Sequence, residues 1–379
     1  MYSSVRIKRL FLSNYRNHKN LKINIEKQIV LLFGGNGSGK TNILEAISLV
    51  SSSNGFRNAK LPAIIRKSGG LILKNFGINI EISEKKMSNK IGIGLEKTSD
   101  KLKKILLLDG KKTNKKNFND KLKVFWVLPS MINLFLGPAS DRRNFLDSMI
   151  SSYDGLYQKT LISHKKFQRE RIRILKRFDL TNANKDWLFS IEKKIVSLGI
   201  IISDKRRIFL DKINNYSVKM NSKVPTINVT LSGQIDKELK SIPAVNVEEN
   251  FLKKLKENRK IDSLTGRTNY GINRSDMKVL NQEKSEFSEN CSTGEQKVLL
   301  LTIIFLFLQI LKEKNSFKII WLLDDIFAHL DRKYINIILE ELVNLNIQTW
   351  ITNVNDQCIE KKSEYFDNIL FLNIKDIKV

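Results

Sequence analysis

The segment GGNGSGKT, residues 34–41, has the residue types and spacing of a loop that binds nucleotide phosphates. Its glycines let backbone N–H groups wrap around a phosphate, and the helix predicted to follow adds the positive end of its dipole. We expect Lys40 to reach the β- and γ-phosphates and Thr41 to give its hydroxyl to Mg²⁺. The alternative is an ordinary glycine turn with a helix N-cap. The residues predicted to bind ATP here are Gly34, Gly35, Asn36, Gly37, Ser38, Gly39, Lys40 and Thr41.

A second candidate is the segment IIWLLDD, residues 319–325, an apolar strand that ends in two carboxylates. Carboxylates at the end of a buried strand need a cation or hydrogen-bond donors, because an unpaired buried charge is costly. Asp324 suits a Mg²⁺ ligand, and Asp325 would orient or activate an attacking water, with Lys40 as its catalytic companion. The alternative is a pair of surface turn aspartates.

The segment CSTGEQKVLLL, residues 291–301, opens a long apolar helix. Ser292 and Glu295 have the S-x-x-E spacing of a capping box. That interpretation does not account for Gly294, and a serine and a glycine at a helix N-terminus also build an anion site. The segment therefore predicts either a capped helix or a second phosphate contact.

These segments need a scaffold, and the order of the predicted elements indicates one. A strand, a glycine-rich loop and a helix open the chain, and strands alternate with helices again after residue 296. Residues 142 to about 260 are helical in pattern and very basic. We therefore predict an α/β fold with a mainly parallel sheet and an inserted helical lobe.

Composition limits the classes of function. The chain has 379 residues and a net charge of +27, which favours a polyanion such as nucleic acid, although lysine-rich codon bias is an alternative. Two cysteines cannot form a disulfide framework. The longest apolar run, Val298 to Leu308, is shorter than the roughly 20 residues of a membrane span. We expect a soluble cytoplasmic protein with no membrane partner and no zinc site.

Taken together, the phosphate-binding loop, STGEQ, LLDD and AHLD (328–331) resemble an ABC-type ATPase head. The match is closer to the RecF family of DNA replication and repair proteins, over nearly the whole chain. NYRN (14–17) is similar to the family's opening strand, and GPASDRRNFLD (137–147) resembles its entry into a helical lobe. GINRSD (271–276) resembles the G-P-H-R-[SD]-D return segment, with Ile272 and Asn273 in place of Pro-His.

The resemblance implies lobe I from residues 1–128 plus 262–379 and helical lobe II from residues 129–261. It implies an ATP-dependent homodimer in which each copy completes the ATP site of the other. Ser292, Gly294 and Glu295 would face the γ-phosphate held by the second copy, and Asp331 would belong to the D-loop between the two sites.

The resemblance also implies partners. They are DNA at single-strand gaps and duplex junctions, together with RecR, RecO and RecA in DNA repair and the SOS response. The protein would associate with the nucleoid when bound to DNA. Asp325 and Thr352 stand where ABC transporters have Glu and His, which suggests weak, DNA-stimulated ATP hydrolysis that serves a binding switch.

Alternative functions are an ABC transporter motor subunit, an SMC-like chromosome-organising head and a nuclease with an ATPase gate. The roughly 250-residue gap between the loop and STGEQ disfavours the transporter, the short insertion without heptads disfavours a long SMC arm, and no metal cluster supports a nuclease.

Four arginines have open roles. Arg16 contacts the nucleotide or DNA, or is a strand-edge arginine. Arg57 is a DNA-responsive arginine or has no such role. Arg142 and Arg143 are expected to fix the lobe junction through Asp147 or Asp141 rather than to contact DNA.

Overall fold

The computed structural model describes residues 5–50, 55–68, 71–72, 75–84, 87–98, 101–114, 117, 121–177, 182–220, 223–313, 318–328, 330–360 and 363–377. Backbone contacts divide the chain into a first unit, residues 1–131 with 311–379, and a second unit, residues 132–310. The second unit begins close to predicted residue 129, but it extends to Ile310 instead of residue 261. Residues 262–310, predicted for lobe I, thus group with the second unit.

A parallel sheet in the order β10-β14-β15-β3-β16 is the centre of the first unit. Its strands are short, and the three central ones are almost fully buried, as expected for strands covered on both faces, whereas the two edge strands are only partly buried. The strands are β3 (Ile29–Phe33), β10 (Lys123–Val127), β14 (Ile319–Leu323), β15 (Gln348–Asn353) and β16 (Ile369–Asn373). Every pairing is parallel, which confirms the predicted α/β class.

An antiparallel sheet in the order β2-β1-β6-β7-β8-β9 also belongs to this unit. One core cluster contains residues of both sheets and of helix α1, including Leu10, Ile80, Ile43 and Leu322. The additional elements are β1 (Arg6–Tyr15), β2 (His18–Asn24), α1 (Lys40–Ser48), α2 (Leu61–Ile64), β4 (Lys67–Ser68), β5 (Leu71–Ile72), β6 (Gly77–Glu84), β7 (Met87–Thr98), β8 (Lys101–Leu108), β9 (Lys111–Lys112), α3 (Pro129–Ile132) and α11 (Arg332–Leu345).

The second unit is mainly helical and contains a small sheet. Its helices are α4 (Ala139–Tyr153), α5 (Gly155–Arg177), α6 (Asn182–Lys219), α7 (Gln234–Ser241), α8 (Ala244–Glu257), α9 (Arg259–Thr265) and most of α10 (Thr293–Glu313). Its strands are β11 (Ile227–Ser232), β12 (Asp276–Asn281) and β13 (Glu286–Phe287).

The wholly helical prediction for residues 142–260 is wrong at β11. Ile227, Val229 and Leu231 are buried alternately, which is the period of a strand, and β11 pairs antiparallel with β12. Asn214 of α6 covers the other side of β11. Its Oδ1 accepts the Val229 N–H at 2.7 Å, and its Nδ2 donates to the Val229 carbonyl at 2.9 Å.

The partners predicted for Arg142 are also wrong. Arg142 forms a two-pronged ion pair with Asp276, at 2.7 and 2.9 Å, and so joins α4 to the start of β12. Arg143 donates to the Ser275 carbonyl at 2.6 Å. Asp147 pairs with Arg206 of α6 instead, at 2.8 and 2.9 Å. The prediction chose carboxylates close to Arg142 in sequence, whereas the folded chain brings the distant Asp276 to the helix.

Helix α10 is long and apolar enough to cross a membrane by length and composition. However, 83% of its most apolar window is buried inside the protein, as in the core helix of a soluble domain. It is therefore weak evidence for a membrane span.

Candidate nucleotide site

The loop between β3 and α1 adopts a conformation that requires glycine. Gly34, Gly37 and Gly39 have φ of 146°, 77° and 103°, which side chains rarely adopt. Gly39 caps α1, so the helix dipole begins inside the loop. Lys40 turns back over the loop, where its Nζ donates to the carbonyls of Gly34 at 2.6 Å and Gly35 at 2.9 Å. The loop thus holds an ammonium group beside the residues that are expected to bind phosphate.

The carboxyl ends of neighbouring strands bring a chain of hydrogen bonds to this loop. Asp324 immediately follows β14, and its Oδ1 accepts a hydrogen bond from Thr41 Oγ1 at 2.9 Å. Thr352 Oγ1, at the end of β15, donates to the same oxygen at 2.7 Å and accepts the backbone N–H of Asp325 at 2.9 Å. Asp325 has a φ of 52°, a left-handed conformation that aspartate tolerates better than most residues.

These groups line a cleft of about 290 Å³. Burial lowers the pKa of Lys40, whereas the charges of Asp325 and Asp324 act in the opposite direction. The cleft therefore combines an ammonium group with two carboxylates, which is the charge pattern that a metal–phosphate complex requires. Its lining residues are Asn36, Gly37, Gly39, Lys40, Thr41, Asn42, Arg57, Pro129, Asp324, Asp325, Thr352 and Val354.

The oxygen ligands present fit Mg²⁺. The Thr41 hydroxyl and the Asp324 carboxylate are hard ligands, and Mg²⁺ in nucleotide sites takes one or two protein ligands and completes its shell with phosphates and water. Among the described residues, no group of three or more His, Cys, Asp and Glu could hold a metal without such help. The donor set thus suits a Mg²⁺ ion that arrives with a nucleotide.

The turn between β1 and β2 supports the loop from the side, and the sequence did not point to it. Asn17 Nδ2 donates to the Ser38 carbonyl at 3.3 Å and Asn17 Oδ1 accepts from Asn42 Nδ2 at 2.8 Å. His18 Nε2 lies 3.3 Å from the Gly39 carbonyl, and burial lowers the pKa of His18. A Cβ on Gly39 would lie 2.5 Å from Asn17 and 2.8 Å from His18.

Arg16 and Arg57 both meet Glu45, a fully buried carboxylate on α1. Arg16 holds it with two hydrogen bonds of 2.5 and 2.6 Å, and this interaction with Glu45 raises the pKa of Arg16. Arg57 donates to Asn42 Oδ1 at 2.8 Å and approaches Glu45 Oε2 at 3.4 Å. Arg16 is therefore a structural partner of α1, whereas Arg57 also lines the cleft.

The STGEQ segment forms a capping box in the second unit. The Ser292 N–H donates to Glu295 Oε2 at 2.9 Å, and the Glu295 N–H donates to Ser292 Oγ at 3.4 Å. Glu295 also pairs with Lys284. Apart from its chain neighbours and the helix backbone, no atom of the described residues lies within 4 Å of the Cβ position of Gly294, so this helix N-terminus is open on one side.

The predicted D-loop is partly described. Asp331 is exposed and precedes the first residue of α11, with no side-chain bond to the helix. His329 lies outside the described residues. Asp331 remains a candidate for a contact with a second copy.

Comparisons with known proteins agree with this geometry. Residues 6–372 match the family described as RecF/RecN/SMC N terminal domain. The DNA replication and repair protein RecF of Rickettsia massiliae is 31% identical over 358 residues, covering 93% of this chain and 95% of the relative. RecF of Mesorhizobium japonicum is 33% identical over 365 residues, with 94% and 93% covered.

The chain belongs to the RecF family.

Solved structures support the same fold. The structure of the recombination mediator protein RecF-ATP in the RecFOR pathway has a TM-score of 0.73 and 25% identity, covering 96% of each chain. RecF-ATPrS of that pathway has a TM-score of 0.75 and 24% identity, with 95% of each chain covered. An Smc head of Pyrococcus furiosus reaches 0.53 at 16% identity, covering 98% of this chain and 94% of that one. The predicted family and ATPase-head fold are confirmed.

The amino-acid sequence predicted some residues of this site and missed others. It predicted the glycine loop, Lys40 and the aspartates at the end of β14, because each follows a local spacing rule. It missed Asn17, His18 and Glu45 as supports of the loop. One signal was available for Glu45: a carboxylate among the apolar residues of α1 needs a cation, and Arg16 is a nearby arginine in the opening segment.

Proposed function

We propose that this protein binds ATP with Mg²⁺ and uses the bound state to hold DNA during recombinational repair. Gly34, Gly35, Asn36, Gly37, Ser38, Gly39, Lys40 and Thr41 would bind the phosphates, with Mg²⁺ on Thr41 and Asp324. Asp325 would orient the attacking water, with its backbone held by Thr352. Hydrolysis would be slow and would reset the bound state.

One observation carries the nucleotide part of the proposal. Asp324 Oδ1 accepts hydrogen bonds from both Thr41, 2.9 Å away, and Thr352, 2.7 Å away, so the carboxylate is oriented toward the phosphate-binding loop. Metal sites depend on such orienting bonds for affinity and geometry. The named relatives with ATP and ATPrS support the choice of nucleotide.

We further propose that ATP joins two copies head to tail. Ser292, Gly294 and Glu295 of one copy would approach the γ-phosphate held by the other, with Asp331 beside them. The exposed N-terminus of α10 supports this, because the positive end of a helix dipole attracts anions. Glu295 would contribute mainly by fixing the Ser292 N–H, since its carboxylate already pairs with Lys284.

The DNA and protein partners come from the relatives. Proteins with this sequence pattern are named for DNA replication and repair and for the RecFOR pathway. We propose that the paired heads hold single-strand gaps and duplex junctions and, with RecR and RecO, promote RecA loading. Phosphate contacts give affinity without sequence information, so the binding would be sensitive to salt and tolerant of sequence.

The test is DNA binding at near-physiological salt without nucleotide, with ADP and with ATP, on gapped and intact duplex. We expect affinity to rise about tenfold or more with ATP, which corresponds to about 1.4 kcal/mol. Lys40→Met should abolish the ATP response. Ser292→Arg should keep ATP binding but prevent dimerisation in ultracentrifugation. Equal DNA affinity in all three nucleotide states would overturn the clamp, and a dimer of Ser292→Arg with ATP would overturn the role of the signature segment.

A further inference from the structure

A basic cleft of about 590 Å³ lies wholly within the second unit, and none of the functions assigned so far uses it. One wall is a face of α5, with Lys165, Gln168, Arg169 and Ile172 spaced as neighbours along one side of a helix. The other wall is the loop that connects α9 to β12. It contributes Gly266, Arg267, Thr268, Asn273 and Arg274.

The charges in this cleft have one sign. Lys165, Arg169, Arg267 and Arg274 are exposed, and the lining residues that the structure describes include no aspartate or glutamate. Among the described residues, none of the four forms an ion pair. Within the described residues, these four side chains form one hydrogen bond, from Arg169 Nε to the Lys165 carbonyl at 3.3 Å.

The three arginines of this unit that are buried among the described residues give the contrast. Arg142 pairs with Asp276, Arg206 with Asp147, and Arg171 with Glu192 and Asp262. These three buried arginines are thus neutralised by carboxylates, because an unpaired buried charge is costly. Within the residues that the structure describes, the four cations of the cleft have no such structural partner.

Codon bias does not explain the cleft. The chain has 17 arginines among its 66 basic residues, and a bias toward AT-rich codons increases lysine rather than arginine. Three of those 17 arginines meet in one cleft. Arginine offers a planar fork of donors that matches phosphate oxygens.

The wall opposite α5 is held in place by its own contacts. Asn273 Nδ2 donates to the Thr268 carbonyl at 2.7 Å across the loop, and Asn269 bonds to Asp262 of α9 through its backbone and its side chain, both at 2.9 Å. The loop therefore presents Arg267 and Arg274 from a fixed backbone, and the cleft is complete in one copy of the chain.

We propose that this cleft binds the phosphodiester backbone of a polynucleotide, and that it does so without ATP. Three arginine forks and one ammonium group would contact successive phosphates, with the apolar side of Ile172 between them. A volume of about 590 Å³ is in the range of sites for whole small molecules, so the cleft suits a nucleotide unit rather than an isolated ion. The inference rests on the proposed function only in taking nucleic acid as the partner.

The experiment compares two triple variants of the full chain that remove the same number of positive charges. The cleft variant is Arg169→Ala, Arg267→Ala and Arg274→Ala. The control variant is Lys219→Ala, Lys237→Ala and Lys253→Ala, which changes exposed lysines of the same unit outside the cleft. Fluorescence anisotropy without nucleotide measures affinity for labelled single-stranded and duplex oligonucleotides of equal length, over a salt series. Thermal unfolding verifies that both variants are folded.

We expect the cleft variant to bind at least one oligonucleotide about tenfold or more weakly than the control variant does. The slope of log K against log salt should fall by about 0.7 to 0.9 for each phosphate that the variant no longer neutralises. An Arg169→Lys, Arg267→Lys and Arg274→Lys variant should recover part of the affinity.

Equal weakening in the cleft and control variants would overturn the proposal, because binding would then follow net charge alone. Displacement of the oligonucleotide by equimolar inorganic phosphate would show an isolated anion site and would also overturn it. The proposal would also be overturned if a polyglutamate peptide displaced the labelled oligonucleotide more strongly than unlabelled oligonucleotide does, since the cleft would then suit an acidic protein partner. If ATP did not change the DNA affinity of the parent protein, that result would contradict the proposed ATP-dependent clamp. It would leave the comparison of the cleft and control variants unchanged, because that comparison is made without nucleotide.

Discussion

Thr352 and Asp324 are joined by a hydrogen bond of 2.7 Å, although Thr352 lies on β15 and Asp324 directly follows the neighbouring strand β14. The same Asp324 oxygen accepts the hydroxyl of Thr41, and the Thr352 oxygen in turn accepts the Asp325 N–H. One buried threonine thus orients the candidate metal ligand and fixes the backbone of the candidate water-orienting residue.

Thr352→Val should lower the apparent affinity for Mg²⁺ in ATP binding and hydrolysis by about 10- to 100-fold. Valine keeps the shape but removes the hydroxyl that orients Asp324, and outer-shell partners of metal ligands have effects of this size. The measurement is ATP affinity and turnover over a Mg²⁺ titration. Thr352→Ser is the matched control and should retain the behaviour of the parent protein. Parent-like Mg²⁺ dependence in Thr352→Val would contradict the role of Thr352.

Gly39→Ala should abolish ATP binding and lower stability by about 1–2 kcal/mol, the cost of a left-handed conformation for a residue with a Cβ. The φ of Gly39 is 103°, and its Cβ would meet Asn17 and His18. Gly35→Ala is the control for stability in the same loop, since among the described residues no atom beyond its chain neighbours lies within 4 Å of its Cβ position. Urea unfolding and ATP titration measure both effects. Equal stability of the two variants would argue against the support by the β1–β2 turn.

Arg16→Met should destabilise the protein by about 3 kcal/mol, at the low end for a broken buried ion pair because Arg57 still lies 3.4 Å from Glu45. The double variant Arg16→Met, Glu45→Met should regain much of that stability, since no buried charge is then left unpaired. Urea unfolding of the single and double variants tests this. Unchanged stability together with weaker ATP or DNA binding would instead place Arg16 at a ligand.

The capping box of α10 should make part of the free energy of unfolding depend on pH. Lys284 and the N–H and hydroxyl of Ser292 lower the pKa of Glu295 to about 2. An unfolded glutamate titrates near pH 4.3, so this contribution is fully present above about pH 4.3 and is lost as the pH falls toward 2. Urea unfolding at stepped pH should show the free-energy gap between the parent protein and Glu295→Gln narrowing over that range.

Two glutamate variants separate the charge of Glu295 from its capping bond. Glu295→Gln keeps an acceptor for the Ser292 N–H, whereas Glu295→Ala should lose about 1 kcal/mol more at neutral pH. Identical stability of the two variants at neutral pH would show that the capping box does not stabilise the helix.

The sequence by itself determined the features that depend on local spacing. The glycine pattern of residues 34–41 needs only neighbouring backbone angles, and the apolar strand before Asp324 needs only its own hydrophobicity. The capping spacing of Ser292 and Glu295 is likewise contained in one turn of helix. The α/β class followed from the order of such segments, whereas β11 was missed because its short alternation lies between long helices.

Only the tertiary structure determined which distant residues meet. Strand order places β15 between β3 and β14, which brings Thr352 to Asp324. The antiparallel hairpin of β1 and β2 carries Asn17 and His18 to the loop. Arg142 pairs with Asp276, 134 residues away, instead of the acids beside it. The physical reason is that these contacts depend on strand pairing and helix packing, which no local residue spacing specifies.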